Sequence, residues 1–147
     1  IMSAGSGIQH SEVNPNKDKR VELFQIWIFP KERNITPRYD QKSFLPEDRV
    51  DQLLTVVSPN EPGTLFINQD AWLSLGHFKK PFTTNYPMHQ AGQGLFAICV
   101  EGTCTVGGQI LGRRDAVGIS GVEAVQIEAT AGSDLLLIEI PHFTTGA

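Results

Sequence analysis

Short runs rich in Val, Ile, Leu, Phe and Thr recur along the chain, separated by glycines and prolines that are spread over its whole length. Runs of this length bounded by turn residues are typical of β-strands. No segment sustains the 3.6-residue apolar period of an amphipathic helix, and only residues 47–52 fit a short helical turn. The pattern therefore predicts an all-β sandwich or barrel of about ten short strands.

The runs that we predict as strands differ in how their apolar residues are distributed. They are residues 21–29, 53–57, 64–67, 71–75, 95–100, 103–106, 109–111, 125–129 and 135–140. The first is apolar on both faces, with Glu22 and Gln25 as its polar interruptions, which predicts a central strand covered on both sides. Gly107-Gly108 lies between two runs and predicts a tight hairpin.

Length and charge narrow the class of protein. The chain has 147 residues, of which 40% are hydrophobic and 19% charged, as in one ordinary globular domain. Its formal net charge of −4 supplies no basic surface, so nucleic acid is not an expected partner. No apolar run approaches the roughly 20 residues that span a bilayer, and no signal peptide pattern is visible. We expect a cytoplasmic protein that does not bind a membrane.

Two cysteines lie close together in the sequence. If Glu101-Gly102 forms a two-residue turn, Cys99 and Cys104 face each other across a hairpin. A cross-strand disulfide and two reduced, buried thiols both fit this spacing. A cytoplasmic location favours the reduced thiols.

The front of the chain combines a glycine-rich turn, Ser3-Ala4-Gly5-Ser6-Gly7, with His10 and Glu12. On a strand, residues two apart project to the same side, so the imidazole and the carboxylate would lie together. Such a pair suits Fe, Mn, Ni, Cu or Zn, but metal sites usually have three or four protein ligands. The sequence therefore predicts half of a metal site at His10 and Glu12.

The same residues resemble a known family. Residues 2–12 (MSAGSGIQHSE), residues 23–28 (LFQIWI) and Pro37-Arg38-Tyr39 are similar to the middle of a pirin-family bicupin. The later part of the chain resembles the C-terminal cupin of the bacterial quercetinase-like pirins. The resemblance implies the cupin fold, a double-stranded β-helix or jelly-roll barrel. Residues 1–46 would be the C-terminal remnant of an N-terminal metal-binding cupin plus a linker, and residues 47–143 a C-terminal cupin without metal ligands.

The resemblance also implies an activity. In this family the N-terminal cupin binds one divalent metal through three histidines and a glutamate, and several members oxidise quercetin with dioxygen. His10 would be the third histidine and Glu12 the glutamate, with Glu12 also accepting the substrate's hydroxyl proton. No residue of this chain matches the first two histidines. We therefore expect weak metal binding or none, and little activity for this chain alone. The alternative is a non-catalytic cupin scaffold with a binding or regulatory role.

The other histidines do not complete the site. His77, His89 and His142 form no His-x-His pair, and we interpret each as a surface or strand-end residue. Aligning Gly102 with the hairpin glycine of the cupin motif puts Leu95 in place of the ligand glutamate and leaves His89 as at most one ligand of three. We expect Leu95, Phe96, Ile98 and Val100 to fill or line the core.

Residues 21–29 also bear on the expected partners. In the family this run would be covered by earlier strands, so an exposed apolar surface is predicted here. We expect a homo-oligomer in which residues 1 to about 45 pack on another copy or fold back on the second cupin. A flavonol-like small molecule is the other expected partner.

Overall fold

The computed structural model of the chain describes residues 1–142. Twelve strands are formed by residues that are mostly aliphatic, aromatic or β-branched. They are β1 (Met2–Ser3), β2 (Arg38–Tyr39), β3 (Leu53–Ser58), β4 (Leu65–Phe66), β5 (Trp72–Phe78), β6 (Phe82–Pro87), β7 (Gln93–Glu101), β8 (Cys104–Val106), β9 (Gln109–Leu111), β10 (Ala116–Ser120), β11 (Ala124–Ala129) and β12 (Ser133–Pro141). A 3₁₀ helix over Pro46–Arg49 begins at a proline and precedes β3.

Ten of these strands form two sheets that enclose one core. The larger sheet has the order β10-β7-β12-β5-β3-β4, and the smaller has the order β6-β11-β8-β9. Their pairs are antiparallel except β3 with β4. Because consecutive strands such as β7 and β8 lie in different sheets, the chain crosses repeatedly between the layers, as in a jelly roll. The predicted all-β jelly-roll architecture is confirmed.

The core lies between the inner faces of the two sheets. Alternation along β7 turns Leu95, Ala97 and Cys99 inward, where each is at most 1% exposed. The buried members of the cluster come from both sheets and are Phe78, Tyr86, Leu95, Ala97, Cys99, Cys104, Val106, Leu111, Val125, Ile127, Ala129, Leu135 and Leu137. Phe96 faces the opposite way and is 42% exposed. The core prediction is confirmed for Leu95 and wrong for Phe96.

The hairpin between β8 and β9 has the predicted turn. Val106 pairs with Gln109, so Gly107 and Gly108 are its two central residues. Both have positive φ, 56° and 80°, which matches the type I′ turn that follows the twist of the flanking strands. Gly107 and Gly108 therefore fix the register of this hairpin.

Two strands of the barrel were not predicted. β6 and β10 pair with β11 and β7 respectively, at one edge of each sheet. Their residues alternate between exposed and partly buried side chains along most of their length. Each of these two strands mixes apolar residues with polar residues or glycine, so neither stands out in the sequence as an apolar run.

Residues 21–29 do not form the predicted central strand. The whole segment from residue 4 to residue 37, here called the front arm, contains no strand, and β1 and β2 on either side of it pair with each other. Trp27 is 88% and Phe29 is 91% exposed. A strand requires a neighbour that pairs with its backbone, and no segment within residues 1–142 pairs with this one. The prediction of a covered strand is wrong, although the predicted apolar exposure is present.

The front arm contacts the barrel mainly through polar groups. Lys31 Nζ lies 2.6 Å from Asp70 Oδ2, and the Gln69 side chain donates a 2.9 Å hydrogen bond to the Phe29 carbonyl. Farther along the barrel, Arg114 lies 3.3 Å from Glu22. These polar contacts leave the large apolar side chains of the arm uncovered.

Candidate functional site

The glycine-rich front motif forms a tight turn against the end of the arm. Gly5 has a φ of +53°, and a Cβ there would lie 1.9 Å from the Ile35 carbonyl oxygen. The Gly7 amide donates a 2.8 Å hydrogen bond to the Ala4 carbonyl. Any side chain at residue 5 would collide with backbone, so glycine is required at this position. The turn therefore constrains the backbone immediately before residues 8–12.

His10 and Glu12 lie side by side. The segment that holds them is not a strand, although a strand was expected there. The distance from His10 Nε2 to Glu12 Oε1 is 3.8 Å, and the two side chains are 43% and 57% exposed. Both polar ends are therefore accessible from solvent. An imidazole nitrogen and a carboxylate oxygen are suitable donors for a divalent transition metal.

The described residues do not complete a metal site around this pair. Within residues 1–142, no three or more His, Cys, Asp or Glu side chains are grouped to hold a metal. His77 lies on β5, where its Nδ1 is 3.0 Å from Asp134 Oδ1. The donors at His10 and Glu12 thus fit a metal in kind, but two ligands alone leave most coordination positions to water.

A second polar cluster, which the sequence analysis missed, lies at one end of the barrel interior. Glu139 on β12 is completely buried. Its carboxylate accepts hydrogen bonds from the Tyr86 hydroxyl at 3.1 Å and from the His89 amide at 2.7 Å, and it lies 2.7 Å from His89 Nδ1. These partners satisfy a carboxylate whose burial would otherwise be costly.

The phenol of Tyr86 is a donor in this cluster over a wide pH range. Burial, and then the negative charge of Glu139, raises the pKa of Tyr86 well above its ordinary value. The hydroxyl therefore keeps its proton, which it shares with the buried carboxylate.

The imidazole of His89 is held on several sides. Its ring stacks on Trp72 with a centroid distance of 4.6 Å and an angle of 10° between planes. Its other nitrogen, Nε2, lies 3.4 Å from Glu61 Oε1. His89 directly follows a strand, as expected, but it is fixed in place and not a free surface side chain. The sequence contains one signal of this cluster. Glu139 lies two residues after Leu137 and four after Leu135, so alternation along the strand places its charged side chain on the same inward face.

The two cysteines are not partners across a hairpin. Cys99 lies on β7 in the larger sheet and Cys104 on β8 in the smaller, and both thiols are free and buried. The hairpin prediction is wrong because the chain changes sheets between them. Burial raises the pKa of the Cys99 thiol, and it raises that of Cys104 to about 12. Both are consequently poor nucleophiles and poor metal ligands at neutral pH.

Comparison with known families decides the relationship. A family model described as "Quercetinase C-terminal cupin domain" matches residues 55–140, more than half of the chain, and one described as "Pirin" matches residues 1–28. The chain belongs to the pirin family. Quercetin 2,3-dioxygenase of Escherichia coli K12 is 38% identical to this pirin chain over 144 residues, which cover 96% of the chain and 60% of that enzyme. A pirin-like protein of Caulobacter vibrioides is 32% identical over 141 residues, 95% of the chain and 60% of that protein. The pirin chain thus spans about 60% of the length of these relatives.

Solved structures agree with this assignment. The crystal structure of YhhW from Escherichia coli matches with a TM-score of 0.88 and 34% identity, covering 99% of the pirin chain and 61% of that structure. A structure of bacterial pirin YhhW in complex with nickel(II) matches with a TM-score of 0.71 and 30% identity, over 80% of the pirin chain and 49% of that structure. The expected cupin fold is confirmed. Within residues 1–142, no helix has the length and apolar character needed to cross a bilayer.

Proposed function

We propose that this pirin chain takes part in the metal-dependent oxidation of a flavonol by dioxygen, with His10 and Glu12 as two of the metal ligands. The observation that carries the proposal is the 3.8 Å approach of His10 Nε2 to Glu12 Oε1 within the segment that matches pirins. The relatives described as quercetin 2,3-dioxygenase suggest the substrate class, and the nickel(II) complex of a bacterial pirin suggests a divalent metal. An imidazole and a carboxylate suit Fe, Mn, Ni, Cu or Zn.

The roles proposed for the two residues follow from their chemistry. Neutral His10 binds the metal through a ring nitrogen, and Glu12 binds through a carboxylate oxygen. When bound, such a metal favours the deprotonated form of the flavonol hydroxyl and provides positions at which substrate and dioxygen meet. Glu12 is also the proposed general base, because its half-exposed carboxylate can accept the hydroxyl proton.

We further propose that the remaining ligands come from a polypeptide segment outside the described residues. Residues 1–46 would then belong to the metal-binding cupin and its linker, and residues 47–143 would form a cupin that supports it. The core between the two sheets favours a supporting role for the second cupin, because apolar side chains such as Leu95 and Leu137 fill it. The boundary at residue 143 lies outside the described residues.

Turnover of quercetin tests this proposal. The isolated chain, supplied with Fe, Mn, Ni or Cu, is expected to give little or no turnover. Fusing it to the preceding part of the Escherichia coli quercetin 2,3-dioxygenase is expected to restore turnover, and His10→Ala in that fusion to abolish it. Robust turnover by the chain alone would refute the half-site. A folded, metal-loaded fusion without turnover would refute the enzymatic role.

The front arm supports a second proposal, that this chain associates with another copy of itself. Trp27 and Phe29 are almost fully exposed within a run that also includes Leu23 and Phe24, which are 63% and 46% exposed. Clustered apolar exposure of this kind usually marks an interaction surface.

We also infer a reducing, cytoplasmic environment, because Cys99 and Cys104 are both free.

A non-catalytic role is the alternative function. Two observations favour it. The apolar side chains of the arm are exposed and available for contact, and the interior of the barrel is already filled by side chains. In that case the chain would bind a partner through the arm, and His10→Ala would leave the interaction unchanged. An effect of that substitution on partner binding would favour a metal-linked role.

A further inference from the structure

The ring of His89 is oriented by its neighbours in a way that exposes one nitrogen. Nδ1 lies 2.7 Å from Glu139 Oε2, and this carboxylate already accepts hydrogen bonds from the Tyr86 hydroxyl and the His89 amide. The proton is therefore assigned to Nδ1, and in the neutral ring the lone pair is on Nε2. Stacking on Trp72 holds the ring plane. The His89 side chain is 26% exposed, so solvent reaches the cluster.

A carboxylate faces this nitrogen from a different loop. Glu61 Oε1 lies 3.4 Å from His89 Nε2, and the Glu61 side chain is 37% exposed. The loop is fixed by the Glu61 amide, which donates to Ser58 Oγ at 2.7 Å, and by the Thr64 hydroxyl, which donates to the Glu61 carbonyl at 2.9 Å. A lone pair and a carboxylate at this distance repel each other unless a proton or a cation lies between them.

We propose that His89 and Glu61 form a second divalent transition-metal site, with Zn²⁺ as its reference ion and Glu139 as the outer carboxylate that orients His89. Metal-binding histidines commonly donate their other ring N–H to a carboxylate, as His89 does to Glu139. Two ligand atoms of a tetrahedral zinc ion, each about 2.1 Å from it, are separated by about 3.4 Å. The spacing between His89 Nε2 and Glu61 Oε1 has this value without rearrangement.

This site is independent of His10 and Glu12. It uses Glu61, which lies between β3 and β4, and not Leu95, which occupies the glutamate position of the cupin motif. With two protein ligands, the other positions are filled by water or by a small anionic ligand. The charged or titratable groups that face His89 are Glu61, Glu139 and Tyr86.

Zinc titration followed by NMR of the imidazole nitrogens tests the proposal. The chain has four histidines, so each ring can be followed separately. The titration uses a His10→Ala/Glu12→Gln background, which removes the front pair. Zn²⁺ is expected to shift the Nε2 resonance of His89 in a saturable manner.

Two further variants distinguish a site from nonspecific binding. Glu61→Gln removes a ligand at a solvent-accessible position and is expected to weaken binding at His89 by about tenfold or more. Glu128→Gln, an exposed carboxylate on β11, is the matched control and should leave the binding curve unchanged. The proposal is overturned if His89 does not respond to Zn²⁺, or if Glu61→Gln leaves its response unaltered.

Discussion

The carboxylate of Glu22 lies 3.3 Å from the guanidinium of Arg114, which joins the front arm to the barrel across 92 positions of sequence. The adjacent Arg113 pairs with Glu101 at 2.8 Å. The Arg114 and Glu22 side chains are 41% and 53% exposed, so their attraction is screened by water. Such a pair contributes at most about 1 kcal/mol. The position of the arm consequently depends on weak contacts.

Loosening this contact should affect the arm and spare the barrel. In Arg114→Gln, amide hydrogen exchange in residues 20–27 is expected to accelerate, because the arm loses a side-chain anchor. The free energy of unfolding should change by less than about 0.5 kcal/mol. Arg49→Gln, which removes a 3.9 Å contact with Asp134 within the barrel, is the control and should leave exchange in the arm unchanged. Equal acceleration in both variants would mean that the Glu22 contact has no special role.

Removing the large exposed side chains of the arm should reduce self-association. The double substitution Trp27→Ser/Phe29→Ser is expected to shift sedimentation velocity profiles towards the monomer, since it deletes two nearly fully exposed aromatic rings. Ile110→Ser, at a 76% exposed position on β9, is a control for general surface polarity. A wild-type chain that sediments as a monomer at all concentrations would contradict the proposed association.

Loss of the Tyr86 hydroxyl should destabilise the barrel. Tyr86→Phe removes a hydrogen bond to the buried Glu139 carboxylate, and urea denaturation should show a loss of about 1.5–3 kcal/mol. Tyr39→Phe is the matched control, because Tyr39 is 66% exposed and its hydroxyl contacts Gln41. A loss of equal size in the control would exclude a specific role for Glu139.

The raised pKa of Tyr86 also predicts that the free energy of unfolding falls at alkaline pH. Burial and Glu139 raise the pKa of Tyr86 in the folded state above the unfolded value of 10.0. Its contribution to stability is therefore fully present below pH 10 and is lost as the pH rises further, because the unfolded phenol ionises first. Tyr86→Phe should show a shallower decline of unfolding free energy above pH 10 than wild type does.

The buried thiols should be unreactive in the native protein. Burial raises the pKa of Cys104 to about 12 and also raises that of Cys99, so a thiol-specific disulfide reagent at pH 8 is expected to label neither residue. After denaturation in urea, two thiols per chain should react. Absence of labelling in urea, reversed by a reductant, would instead indicate a disulfide between them.

The β8–β9 hairpin should be sensitive at its first glycine. Gly107 has a φ of +56°, and a Cβ there would lie 2.6 Å from Ile119 Cδ1. Gly107→Ala should therefore lower the unfolding free energy by about 1–2 kcal/mol. Gly112→Ala is the control, since its φ is not in the left-handed region and its nearest neighbour is 3.4 Å away. Equal melting temperatures for wild type and Gly107→Ala would contradict the turn assignment.

Alternating and strongly apolar segments could be predicted from the sequence. β3, β7, β11 and β12 lie within one or two residues of their predicted bounds, because each is rich in aliphatic residues and ends near a turn. Phe96 was misplaced because an apolar run does not reveal which of its residues face inward. In β7 that is decided by the smaller sheet, which packs on one face of the larger sheet and leaves Phe96 on the outer face.

Pairing between distant segments accounts for what the sequence could not reveal. Residues 21–29 have strand-like composition, but a strand forms only where another backbone pairs with it. The link from Glu139 to His89 likewise joins residues 50 positions apart, on β12 and after β6. Spacing rules act within a segment, so they could pair His10 with Glu12, which lie 3.8 Å apart, and missed the cluster around Glu139.

Every buried member of the core cluster lies between Phe78 and Leu137, whereas the front arm provides none. The residues that pack the core and the exposed apolar residues of the arm therefore lie in different stretches of this chain. Substitutions in the arm can accumulate, or be selected for a new partner, without disturbing the packing of the barrel. Such a division allows the sequence of the arm to diversify while the barrel keeps its fold.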